Sequence, residues 1–131
     1  MSRMRTAGEK SARRRLGAWG EDQAATRLRE AGYRIVARNW RCPLGEIDVI
    51  AWSPEAVLCF IEVRTSRSLR YGGAVASITP RKQKRLTALA HAYLAGAEPD
   101  TPIRMDVYAL QRVGGQWHHE HIANAFAVEA A

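Results

Sequence analysis

The sequence predicts an α/β domain, a mixed central sheet flanked by helices. Three observations point there. Apolar residues recur with helical spacing near residues 16–31 and 80–96. They alternate or run together in five shorter segments, separated by turn-forming Gly and Pro. The chain has 131 residues, 47% hydrophobic and 25% charged, which suits one core and excludes both a multidomain enzyme and a disordered chain.

Residues 1–14 lack apolar periodicity and read as a basic disordered arm. The domain proper is expected over 15–122, and 123–131 reads as an apolar tail with no assigned role. From Leu16 to Ala31 the pattern is helical. Ala24, Ala25, Leu28 and Gly32 share one stripe, and Gly32 is the expected C-terminal cap. Tyr33–Trp40 and Glu46–Trp52 alternate as strands around the turn Pro43-Leu44-Gly45. Ser53-Pro54 is the next turn. Val57–Val63 is almost continuously apolar, as expected of a central strand covered on both faces.

The connection over 65–78 is long and carries Arg67, Arg70 and Gly72-Gly73, which suggests a functional loop. Thr79 as N-cap and Pro80 at the first helical position open a second helix. Its stripe is Leu86, Leu89, Ala90 and Tyr93, and it ends near Gly96. Ile103–Val113 and Gln116–Ile122 form a hairpin over Gly114-Gly115. The order is α-β-β-β-α-β-β. The first three strands form a meander, and the helix joining the third to the fourth favours a parallel pair.

The formal net charge is +7. A basic domain favours a polyanionic partner, nucleic acid before membrane surface. The distribution says more. Residues 1–16 carry +5, 17–63 carry −2, 64–85 carry +7 with no acid, and 86–131 carry −3. An acidic block therefore runs directly into a basic one. No apolar run is long enough for a membrane span, and no apolar stretch follows the basic N-terminus as in a secretory signal. Two cysteines, Cys42 and Cys59, make no disulfide scaffold, and Cys59 reads as a buried small hydrophobe. A reduced cytoplasmic protein is expected.

Glu62 follows five apolar residues on the most buried strand, and carboxylates are rarely buried unless paired or metal-bound. Strand alternation puts Arg64 on its face, and puts Glu46 with Asp48 on one face of the preceding strand. Adjacent strands can bring Asp48 beside Glu62. Two carboxylates there repel unless a cation lies between them, and such hard oxygen ligands suit Mg²⁺ or Mn²⁺. Glu21 shares the helical stripe of Ala24, Ala25 and Leu28 and so faces the sheet. Lys82 aligns with the stripe of the second helix, in its anion-attracting first turn. Arg64, Arg67, Arg70, Arg81, Lys82, Lys84 and Arg85 would ring the acids. That arrangement suits metal-assisted cleavage of a phosphodiester, with basic residues gripping the flanking phosphates.

Asp48 followed by Glu62-Val63-Arg64 resembles the PD-(D/E)xK signature of restriction-endonuclease-like nucleases. The chain resembles the YraN-like family of small bacterial proteins more closely still. GAWGEDQAA (17–25), GYRIVARNWR (32–41), GEIDVIA (45–51), FIEVRTS (60–66), ITPRKQKRL (78–86) and AYL (92–94) carry the likeness, from about Leu16 to Val113. It implies a restriction-endonuclease-like α-β-β-β-α-β core, similar to Holliday-junction resolvases. It also implies Glu21, Asp48, Glu62 and Arg64 as catalytic residues, to which the reading of the second helix adds Lys82. The metal, Mg²⁺ or Mn²⁺, falls to Asp48 and Glu62 with Glu46. DNA contacts fall to Arg67, Arg70, Arg81, Lys84 and Arg85, and branched or structured DNA is among the expected substrates. A homodimer is compatible with it.

Two positions depart from the pattern. Ile47 replaces the Pro, a minor change. Arg64 replaces the Lys, and Arg cannot act as a base, so catalysis would lean on the metal or on Lys82 in the lysine's role. The alternative function is a non-catalytic nucleic-acid-binding module with a degenerate nuclease site. A third is a protein adaptor that docks through 123–131. Structural readings compete at single positions. Glu21 could pair with Arg38 or Arg41, Asp48 and Glu62 with Arg64 or Arg38, and Glu46 could be solvated. The basic residues of 67–85 could be a plain solvated face. His118, His119 and His121 lack metal-ligand spacing. Trp19, Trp40 and Tyr71 suit either base stacking or the core.

Overall fold

The computed structural model describes residues 4–67, 75–98 and 100–128. Helix α1 spans Ala7–Glu30, followed by strands β1 (Arg34–Cys42), β2 (Gly45–Trp52) and β3 (Leu58–Ser66). A short 3₁₀ turn at Val75–Ser77 leads into α2 (Pro80–Leu94), and β4 (Ile103–Val113) and β5 (Gln116–Phe126) follow. The sheet order is β1-β2-β3-β4-β5. Strands β3 and β4 pair in parallel, while β1–β2, β2–β3 and β4–β5 are antiparallel. The α/β class, the meander and the parallel crossover stand as the sequence implies.

The sheet is covered on both faces. Ile47, Ile50, Leu58, Phe60, Met105 and Val107 pack with Leu86, Leu89 and Ala90 of α2. Val49, Ala51, Cys59, Ile61, Tyr108 and Leu110 pack with Ala24 and Leu28 of α1. Central β3 thus sends alternate residues into each layer, which explains its unbroken apolar run. Cys59 is fully buried, and burial pushes its thiol up to about 11.

Helix α1 starts nine residues before the expected Leu16, so the disordered arm is corrected. Apolar periodicity missed this turn because its side chains meet solvent rather than core. The usable signal was Thr6-x-x-Glu9, a capping-box pattern. The Thr6 hydroxyl accepts the Glu9 N–H at 3.1 Å. The far end matches expectation. Gly32 takes φ +91°, while its N–H reaches the Arg29 carbonyl and the Tyr33 N–H reaches that of Leu28. That is a Schellman closure. In α2, Thr79 caps the Lys82 N–H at 3.2 Å.

The boundary at residue 122 is also corrected. Strand β5 continues to Phe126, and Ala125, Phe126 and Val128 pack on the α2-side core. The reason is Asp106, which is 1% exposed on β4. Arg104 donates to both its oxygens at 2.8 Å, His121 Nε2 lies 2.8 Å from Oδ2, and the Asn124 N–H reaches Oδ1 at 3.0 Å. The β4–β5 register shifts between Met105 and Val107, which wraps β5 around this carboxylate. Arg104 also donates to the Tyr33 hydroxyl at 2.7 Å, which ties β4 to the end of α1.

Gly20 is buried in α1, where a Cβ would collide with the Thr65 hydroxyl on β3. Gly20→Ala should therefore destabilise by about 1–3 kcal/mol, the usual range for overpacking, and Thr65→Ala should recover part of the loss in thermal melts. Its hydrogen bonds hold the Asp106 carboxyl down to about 2, against an ordinary 3.8. Its contribution is thus complete above pH 4 and lost as the pH falls towards 2. Asp106→Ala, which strands Arg104, should cost about 3–5 kcal/mol near neutral pH, read from urea denaturation midpoints.

Candidate active site

Strand β2 breaks its own alternation. Ile47 and Ile50 pack on the α2 side, Val49 and Ala51 on the α1 side. Strict period-two spacing would have put Ile47 with Val49. The phase slips at Asp48-Val49 and leaves Glu46 and Asp48 facing Glu21 of α1. One carboxylate oxygen from each of Glu21, Glu46 and Asp48 lies within 4.8 Å of the others. These are three of the four acids expected to converge; Glu62, expected as a metal ligand, is not in the trio and pairs with Lys82 instead.

Asp48 is the most constrained of the three. Its Oδ2 accepts the Val63 N–H at 2.8 Å, where β2 and β3 part. The paired register ends at Val49 opposite Ile61, and Asp48 and Glu62 are the next residues of the two strands beyond it. Burial raises the Asp48 carboxyl to about 7, helped by the negative charges of Glu62, Glu21 and Glu46 and opposed by the Val63 hydrogen bond. A carboxylate so placed is short of positive charge.

The other acids have partners. Asn39, at φ +50°, donates to Glu21 Oε2 at 2.8 Å and to Glu46 Oε1 at 3.4 Å. Arg41 Nε meets Glu46 Oε2 at 2.7 Å. Arg38 pairs with Asp22 rather than with Glu21. Asn39 was not foreseen. Its signal was type alone, since Asn is the residue besides Gly that best tolerates positive φ.

Glu62 is held by cations. Lys82 Nζ lies 3.1 Å from Glu62 Oε1, and Arg64 Nε lies 3.9 Å from the same oxygen. The Arg64 Nε is buried with no hydrogen-bond partner among the described residues. The lysine of α2, rather than the arginine of β3, makes the close contact. Thr79, Arg81, Lys82 and Arg85 line a cleft of about 370 Å³ at the α2 N-terminus. Lys84 turns away and lines a separate hollow with Pro80, Gln83 and Thr87. Arg67 lies past the end of β3 beside Arg15 and Arg112, apart from that cleft. Arg70 and Tyr71 lie outside the described residues.

Trp40 packs against Tyr93 on the α2-side core and Trp19 against Trp117 on the other. His119 meets the Tyr108 hydroxyl and His121 serves Asp106, so these two histidines form structural contacts on β5.

Residues 20–110 match the family model described as "Uncharacterised protein family UPF0102". The chain belongs to this family. That agrees with the YraN-like resemblance, and the matched stretch contains Glu21, Glu46, Asp48, Glu62, Arg64 and Lys82. A UPF0102 protein of Cupriavidus taiwanensis is 41% identical over 123 residues, 94% of this chain and 91% of its own length. A UPF0102 protein of Roseiflexus castenholzii is 49% identical over 100 residues, covering 75% and 80%. Another, from Mycobacterium sp. strain JLS, is 44% identical over 103 residues, covering 77% and 76%. Among the described residues no helix is long and apolar enough to cross a membrane.

The raised Asp48 carboxyl has a measurable consequence. The folded protein takes up this proton near pH 7, the unfolded chain near 3.8. In chelator, stability should therefore rise through this group as the pH falls from about 7 to about 4. Asp48→Asn should raise the melting temperature at pH 8, on the order of 5 °C, and the gain should vanish near pH 4.5. Equal melting of the two proteins at pH 8 would contradict it.

Proposed function

We propose that the protein is a divalent-metal-dependent endonuclease acting on DNA, with branched or structured DNA among its substrates. One observation carries this reading. The three carboxylates Glu21, Glu46 and Asp48 converge beside Glu62–Lys82, which opens onto the basic cleft of α2. Oxygen-only donors of this kind fit Mg²⁺ or Mn²⁺. The raised Asp48 carboxyl supports the fit, because a cation would relieve that cost. When bound, the metal would supply Lewis acidity at the scissile phosphate.

The chain's own residues have distinct tasks. Glu21, Glu46 and Asp48 would hold the ion, with Glu62 at its margin. Asn39 orients Glu21 and Glu46 through its amide. Lys82 would serve as proton donor or phosphate contact, and its 3.1 Å contact with Glu62 supports it in the lysine's role that Arg64 cannot fill. Arg81 and Arg85 would neutralise phosphates on the approach. The adaptor reading loses its motive, because the apolar side chains at 125, 126 and 128 turn onto the core.

A second reading keeps the DNA but drops the chemistry. It rests on Arg64, whose Nε has no hydrogen bond among the described residues. One assay separates the two. Branched and flapped DNA is incubated with Mg²⁺ or Mn²⁺ and wild type, Asp48→Asn, Glu62→Gln, Lys82→Ala or Arg64→Lys. The nuclease reading expects cleavage by wild type, lowered at least ~10²-fold by Asp48→Asn and by Lys82→Ala. Equal cleavage by wild type, Asp48→Asn and Glu62→Gln would sink it. Salt-dependent binding without product, with cleavage gained only in Arg64→Lys, would establish the degenerate site.

A further inference from the structure

A second cleft lies on the other flank of Gly20. It has a volume of about 330 Å³, within the range of about 300–1,000 Å³ typical of ligand sites. Arg15, Leu16 and Trp19 of α1, Arg67 after β3, and Arg112 and Trp117 of the β4–β5 hairpin line it. Three guanidinium groups thus share a concave surface whose lining holds no carboxylate. Arg112 and Trp117 are cross-strand partners, which fixes them side by side. The rings of Trp19 and Trp117 stand 4.9 Å apart at 50°, both only partly buried.

We infer that this cleft binds single-stranded DNA, with an unpaired base against the Trp19–Trp117 pair and its phosphates on Arg15, Arg67 and Arg112. The chemistry of the lining selects this ligand. Clustered arginines repel one another until an anion joins them. Aromatic rings beside arginines offer a stacking surface that a paired base cannot reach. An acidic peptide would satisfy the arginines but leave the tryptophans unused. The position also fits, because Arg67 and Arg112 lie at the carboxyl ends of parallel strands β3 and β4, where α/β sheets hold ligands. Trp19 and Glu21 flank Gly20 on one turn of α1.

The inference rests on DNA as the partner of the proposed active site, and its test is independent of cleavage. The full-length protein is titrated with a twelve-residue oligothymidylate in EDTA, following tryptophan fluorescence. Binding should quench the fluorescence. Arg112→Glu and Arg67→Glu should each weaken Kd on the order of tenfold, and each should flatten the slope of log K against log salt by about one. Arg29→Glu makes the same charge change on exposed α1 surface away from the cleft and should leave Kd near wild type. Trp117→Phe should keep most of the affinity but lose much of the quench. Equal weakening by Arg29→Glu and Arg112→Glu would overturn the cleft, as would binding without quenching. So would polyglutamate binding as tightly as the oligonucleotide. If wild type cleaves DNA while the cleft variants bind like wild type, the cleft fails and the nuclease reading survives. If the cleft variants lose binding and no protein cleaves, the cleft stands and the nuclease reading fails.

Discussion

The close approach of α1 to β3 at Gly20 and Thr65 sets the geometry of everything near it. Only a residue without a side chain lets the helix backbone come this near the strand. The helix is then locked in rotation as well as distance. Glu21 is turned towards β2, where it meets Glu46 and Asp48. Trp19 is turned towards the β4–β5 hairpin, where it meets Trp117. One small residue thereby divides a polar cluster from an aromatic one.

The acid cluster is costly to the fold. Asp48 is pressed between burial and three negative neighbours, relieved by a single N–H from Val63. The fold meets this with local rather than global compensation. Asn39 and Arg41 steady Glu21 and Glu46, while Lys82 and Arg64 steady Glu62. Asp106 shows the contrasting solution. It is more deeply buried, yet four donors surround it and hold it ionised. Full satisfaction suits a carboxylate that anchors structure. Partial satisfaction leaves Asp48 with a raised carboxyl that the fold itself does not relieve.

Much of this was legible in the sequence, and the exceptions share a cause. The order of elements, the caps of α2 and the span of β4 followed from periodicity and turn residues, which are local. Glu21, Asp48 and Glu62 stood out because acids on apolar stripes are anomalous at short range. Local patterns did not announce the early start of α1, since its first turns bury nothing that would imprint a stripe. The length of β5 depends on Asp106 reaching Asn124, eighteen residues away. The pairing of Trp19 with Trp117 depends on the whole intervening fold. The slip in β2 is another such case: alternation read correctly for Glu46 and Asp48, but not for how Val49 follows them.

The exposed start of α1 has a consequence of a different kind. Its buried residues begin only at Gly20, so the stretch carrying Lys10, Arg13, Arg14 and Arg15 sits on a rigid rod with its side chains largely in water. Substitutions there change the electric field of the molecule without disturbing its packing. Charge and foldability are uncoupled along those turns. Evolution, or an engineer, can adjust the charge of this face there in small steps while thermal stability stays where it is.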